Sequence, residues 1–184
     1  MPVDIYNKVY DEYFKSNAFL SELEKTVEYL KDKSRIFFIG NGGSNAICSH
    51  MMEDFAKLAG YQSFTFSDPA LITCLSNDYG YENAMMEWCR MHMAKTPAQD
   101  VLVAISSSGN SMNIINAVDY AKHIGAGIIA LSGFDPKNKL NGKGDYNFHI
   151  AVKNYGVVEC FHQVILHMVL DKLAEIRPNP PPSL

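Results

Sequence analysis

The chain has 184 residues, 47% of them hydrophobic and 20% charged, with a net charge of −4. That suits one globular domain with a sizeable core. With no basic run, the composition argues against a nucleic-acid or anionic-membrane surface. No apolar run approaches membrane-spanning length, and the opening Met-Pro-Val-Asp has no signal-peptide pattern. Cys48, Cys74, Cys89 and Cys160 are dispersed without a Cys-x-x-Cys pair, so reduced thiols in the cytoplasm are expected.

Residues 4–32 read as one or two helices. Ile5, Val9, Tyr10 and Phe14 recur at helical spacing, as do Leu20, Leu23, Val27 and Leu30, with Ser16 and Asn17 as the candidate break. Helices ahead of the first strand have no place inside a doubly wound sheet, so they are expected to cover an edge or a partner subunit. Ile36–Ile39 is an apolar run suited to a strand buried on both faces. Gly40, Gly42 and Gly43 allow a sharp turn after it, and Ser44 stands where a helix N-cap belongs. Gln62–Phe66 reads as a short strand, Ser67-Asp68-Pro69 as a turn, and Leu71–Leu75 as either strand or helix. Asn77-Asp78-Tyr79-Gly80 reads as a loop and Glu82 to about Ala94 as a helix. Asp100–Ile105 is a second buried strand, Ser106–Ser111 a serine-glycine turn, and Met112 to about Ile124 the next helix. Ala126–Leu131 is a third buried strand, Pro136–Gly144 a polar loop, and Tyr146–Val152 a further strand. A long amphipathic helix runs from about Val157 to Ile176, and a Pro-rich tail is expected over 177–184. The alternation predicts an α/β, doubly wound parallel sheet of about five strands in a single domain over 1–176.

Two turns carry the chemistry. A strand, a glycine turn and a helix start leave free amides and a positive dipole end, which favour an anion at Gly40–Ser44. No Lys-Ser/Thr pair follows at Walker spacing and the dinucleotide glycine spacing is missing, so a small phosphorylated metabolite fits better than a nucleotide. Ser106–Ser111 repeats the logic with hydroxyl donors. Two such turns at the carboxyl ends of strands can share one crevice. On the helices, His50 and Asp54 are spaced i, i+4 and face one side. Glu159 and His167 are eight apart on the last helix, roughly 80° apart around its axis.

With these residues in view, the chain resembles the SIS (sugar isomerase) domains, and more closely the phosphoheptose isomerases. The motifs that carry the resemblance are Gly40-Asn41-Gly42-Gly43-Ser44, Ser67-Asp68, Asn77-Asp78-Tyr79-Gly80-Tyr81, Ser106-Ser107-Ser108-Gly109-Asn110-Ser111 and Leu131-Ser132-Gly133. They occur in family order over most of the chain. The resemblance implies a flavodoxin-like sheet preceded by two extra helices, a homotetramer with active sites between subunits, and interconversion of sedoheptulose 7-phosphate with D-glycero-D-manno-heptose 7-phosphate. It further implies that Ser44, Ser106, Ser108 and Ser111 hold the substrate phosphate, with Asn41 nearby. Asp54 stands where these isomerases usually carry a catalytic Glu, and His167 matches their second catalytic residue. His50, Asp54, Glu159 and His167 match positions that bind zinc in some members, which implies Zn2+ as a cofactor, one ion per subunit. Other SIS proteins are not enzymes: one class binds a replication initiator, another senses sugar phosphates beside a DNA-binding segment. The presence of Asp54 and His167, and the lack of a basic segment, favour the enzyme.

Overall fold

The structure, a computed structural model, describes residues 2–93 and 97–178. Five parallel strands form one sheet in the order β2-β1-β3-β4-β5. They are β1 (Arg35–Gly40), β2 (Gln62–Thr65), β3 (Asp100–Ser106), β4 (Gly127–Gly133) and β5 (Tyr146–Ile150). The central strands are apolar on both faces because helices cover both. Their side chains alternate between two cores. Ile36, Phe38, Val103 and Leu131 enter one, while Phe37, Ile39, Leu102 and Ala130 enter the other. Each large side chain buried this way is worth about 1.5–3 kcal/mol.

The first core is closed by α3 (Gly43–Ala59), α7 (Tyr155–Ile176) and α2 (Asn17–Leu30). The second is closed by α4 (Pro69–Tyr79), α5 (Tyr81–His92) and α6 (Met112–His123). Ahead of α2 lies α1 (Pro2–Val9), which passes into a π-helical turn at Tyr10–Phe14. The break falls at Ser16, whose hydroxyl caps α2 by accepting from the Phe19 amide.

The leading helices do more than sit outside the sheet. Leu23, Val27 and Leu30 of α2 belong to the first core, in the layer beside α7. They also cover the edge strand. The Glu22 carboxylate accepts from the Asn147 amide of β5 at 2.7 Å, and the Tyr13 hydroxyl hydrogen-bonds the backbone of His149. Backbone groups that would template another strand are thus occupied.

The region after β2 differs from the sequence expectation. Asp68 caps α4 by accepting from the Leu71 amide, Pro69 occupies its first turn, and the helix runs through the supposed loop to Tyr79. Gly80 ends α4 and opens α5. Of the expected tail, Arg177 is anchored: its guanidinium donates to the carbonyls of Lys31 and Lys33. Residues 179–184 lie outside the described residues. The four cysteines are free thiols. Among the described residues, no helix is long and apolar enough to cross a membrane.

Candidate active site

Strands β1 and β3 lie side by side, with Gly40 in register with Ile105, but their chains leave in opposite directions. The chain from β1 goes outward to β2, and that from β3 goes the other way to β4. Their carboxyl ends therefore open a crevice at the switch point of the sheet. A cavity of about 140 Å³ occupies it. Asn41, Ser44, Ser106, Ser108 and Ser111 all line it, and so do Ser107, Tyr155 and Glu159.

The first turn is built differently from the sequence expectation. Gly42, not Ser44, is the N-cap of α3. Ser44 sits in the first helical turn and is almost fully buried on the cavity wall. Gly43 lets the Glu159 carboxylate approach closely, since a Cβ there would push that carboxylate aside.

In the second turn Ser106 Oγ accepts from the Gly109 amide at 3.1 Å and lies 3.5 Å from Ser111 Oγ. Gly109 adopts φ 64°, and a side chain there would strike Asn138. The buried Ser107 hydroxyl has no hydrogen-bond partner among the described residues.

Two further residues tie the turns together, and sequence reasoning assigned neither a role. Asn113, buried near the start of α6, exchanges hydrogen bonds with the Asn41 amide at 2.8 and 3.0 Å. The Tyr81 hydroxyl donates to Asn41 Oδ1 at 2.7 Å. Tyr81 lies in a motif noted above. Asn113 had one usable signal, a polar residue on the apolar face of a helix.

Beyond the cavity, α3 and α7 lie alongside each other and run the same way. Glu159 meets Gly43 at one end, and His167 meets His50 and Asp54 further along. His50 Nε2 is 3.4 Å from Asp54 Oδ2, and the rings of His50 and His167 lie 5.3 Å apart. His50, Asp54 and His167 each present a ligand atom within 4.8 Å of the others, a group that could hold a metal ion. The group is partly open to solvent, with His50 exposed and the other two half-buried.

Glu159 is not in that group. Eight residues at 1.5 Å each put about 12 Å of helix between it and His167. A separation of roughly 80° around the axis does not bring two side chains together across that rise. The Glu159 carboxylate lies instead at the start of α3, on the cavity.

Comparison with known proteins agrees with this architecture. The SIS domain family model matches residues 12–133. A phosphoheptose isomerase from Fusobacterium nucleatum is 34% identical over 164 residues, covering 84% of this chain and 82% of its own. One from Vibrio vulnificus is 30% identical over 175 residues, covering 91% and 88%. The solved structure of a phosphoheptose isomerase from Neisseria gonorrhoeae superimposes with a TM-score of 0.79 at 25% identity, covering 94% of this chain and 95% of its own. The chain belongs to the SIS domain family. Within that family it is closely related to the phosphoheptose isomerases.

Proposed function

We propose that this protein is a cytoplasmic aldose–ketose isomerase that converts sedoheptulose 7-phosphate to D-glycero-D-manno-heptose 7-phosphate. The observation that carries the reading is the shared helix pair. The serine turns and the start of α3 form one cavity, and His50, Asp54 and His167 gather further along α3 and α7. Ser44 and His50 are separated by six residues, about 9 Å of helix. An open-chain seven-carbon sugar places its carbonyl at a comparable distance from a terminal phosphate.

In this reading Ser44, Ser106, Ser108 and Ser111 donate hydroxyl hydrogen bonds to the phosphate, and the positive end of α3 favours its charge. Asn41, held by Asn113 and Tyr81, keeps the two turns in register. Asp54 and His167 are the acid–base pair. One removes a proton from the hydroxyl-bearing carbon beside the ketone, and the electron pair forms the carbon–carbon double bond of an enediol. The other gives a proton to the former carbonyl oxygen. Returning a proton to the neighbouring carbon, with loss of the hydroxyl proton, yields the aldose. His50 orients the Asp54 carboxylate.

Two imidazoles and one carboxylate within 4.8 Å of one another match a zinc donor set with one open position. His50, Asp54 and His167 would hold such an ion, which supplies electrophilic stabilisation of a negatively charged oxygen.

The deciding experiment incubates the purified protein with sedoheptulose 7-phosphate and follows the sugar by NMR. Appearance of the aldose is expected, and an unchanged ketose spectrum at high enzyme concentration overturns the proposal.

A further inference from the structure

The candidate phosphate cavity already contains an anion. Among the described residues that line it, Glu159 is the one that carries a formal charge, and that charge is negative. Among the described residues, no lysine, arginine or histidine lines the cavity to offset it. The Glu159 carboxylate lies against Gly43, the first residue of α3, where the helix dipole and free amides favour negative charge. Gly43 is bare on that side, and the lack of a Cβ is what lets the carboxylate approach.

From this placement we infer that Glu159 is a built-in competitor of the substrate phosphate and thereby sets which phosphorylated ligands the protein accepts. The inference rests on the phosphate-binding reading of the serine turns. A cavity of about 140 Å³ brings a phosphate and a carboxylate within contact distance. At that range like charges repel strongly, because a half-buried site is poorly screened by solvent and salt. A phosphate must therefore move the carboxylate aside, and the loss is recovered only from contacts made elsewhere. Inorganic phosphate has none to offer. A phosphorylated sugar has a chain of hydroxyls that extends along α3 towards His50. Glu159 thus makes the sugar a condition of phosphate binding and keeps abundant free phosphate out.

The test is calorimetric titration with inorganic phosphate and, separately, with sedoheptulose 7-phosphate, on the wild-type protein and on Glu159→Gln. The amide keeps the shape and removes the charge. Inorganic phosphate is expected to bind Glu159→Gln at least about tenfold more tightly than wild type, the factor expected when a repulsive charge leaves a partly buried site. The sugar phosphate should gain as well, since it meets the same charge, and high salt should narrow the wild-type deficit. Adding Ser106→Ala to Glu159→Gln should remove the gain. Gly43→Ala is a second route, because its methyl group would drive the carboxylate away and should also tighten inorganic phosphate. If wild type binds the sugar phosphate while neither Glu159→Gln nor Gly43→Ala binds inorganic phosphate more tightly, the competitor role is overturned and the phosphate site stands. If no variant binds either ligand, the phosphate reading fails and takes this inference with it.

Discussion

The side-chain amides of Asn41 and Asn113 grip each other, with Nδ2 to Oδ1 distances of 3.0 and 2.8 Å in the two directions. Asn41 follows β1, and Asn113 is the second residue of α6, which follows the serine turn after β3. The pair therefore latches one half of the cavity to the other. Replacing Asn113 by leucine keeps the volume but leaves the Asn41 amide with fewer partners. A loss of about 1–3 kcal/mol in urea unfolding is expected, with weaker sugar-phosphate binding. Unchanged affinity would show that the latch serves stability alone.

The serine turn makes a separate prediction. Ser106→Ala combined with Ser108→Ala should weaken phosphosugar binding at least about tenfold, since each hydrogen bond to a charged group is worth roughly 1.5–3 kcal/mol. Some stability will also go, because Ser106 Oγ accepts from the Gly109 amide. Circular dichroism should still report a folded protein. Full affinity in calorimetry would remove these hydroxyls from the phosphate site.

His162 predicts a pH effect on stability. The ring is fully buried, Nε2 donates to the Ser132 carbonyl at 3.0 Å, and burial lowers its pKa from 6.5 to about 4. The folded chain thus keeps the ring neutral where the unfolded chain takes up a proton. Stability is fully present above about pH 6.5 and is lost as pH falls towards 4, by an amount of order 3 kcal/mol. His149, whose Nδ1 meets Ser132 Oγ at 2.9 Å, is lowered by burial too and adds in the same direction. His162→Gln should flatten the denaturation profile between those pH values. An equally steep profile in the variant would assign the acid loss to other groups.

These relationships differ in how far the sequence foretold them. The two turns were legible because a buried strand, glycines and serines stand next to each other in the chain. The pairing of His50 with Asp54 was legible because helical spacing alone puts both on one face. Helix α4 was only half legible: Leu71–Leu75 fits either strand or helix, and its extension through Asn77–Tyr79, where a loop is expected, was not signalled. Asp68 followed by proline reads as a turn, yet an acidic N-cap with proline in the first turn equally opens a helix, as it does here. The role of Glu22 and Tyr13 on β5 could not have been read. The Glu22 contact joins residues 125 apart, and nothing local in the sequence specifies it. Glu159 shows the limit of face arguments: periodicity gave its direction around α7, and its height along the helix decided its neighbours.

Assembly is a further prediction. Val3, Tyr6 and Tyr10 of the leading helical segment are exposed, and so is Tyr155 beside the cavity. Apolar side chains in those places fit contact with other subunits, and a homotetramer is the assembly expected from the SIS resemblance. Light scattering should give a mass near four chains. A stable monomer at working concentration would refute the tetramer and any active site shared between subunits.

The chemistry is tested most directly at His167. His167→Ala and Asp54→Asn should each lower kcat by at least about a hundredfold, the usual scale for a lost acid–base group. Binding of the sugar phosphate should persist, because in the proposed function the phosphate sits at the serine turns and not at the cluster. If binding is lost and residual turnover at saturation is unchanged, His167 belongs to recognition instead. Running the reaction in D2O separates proton transfer from an internal hydride shift. Proton transfer through an enediol places deuterium on the carbon beside the new carbonyl, whereas a hydride shift leaves it unlabelled. The same variants should lose bound zinc when the dialysed proteins are compared by elemental analysis, since His50, Asp54 and His167 offer one ligand each. Retention of stoichiometric zinc by His167→Ala would place the ion elsewhere, and the acid–base assignment would then rest on the deuterium and kinetic results alone.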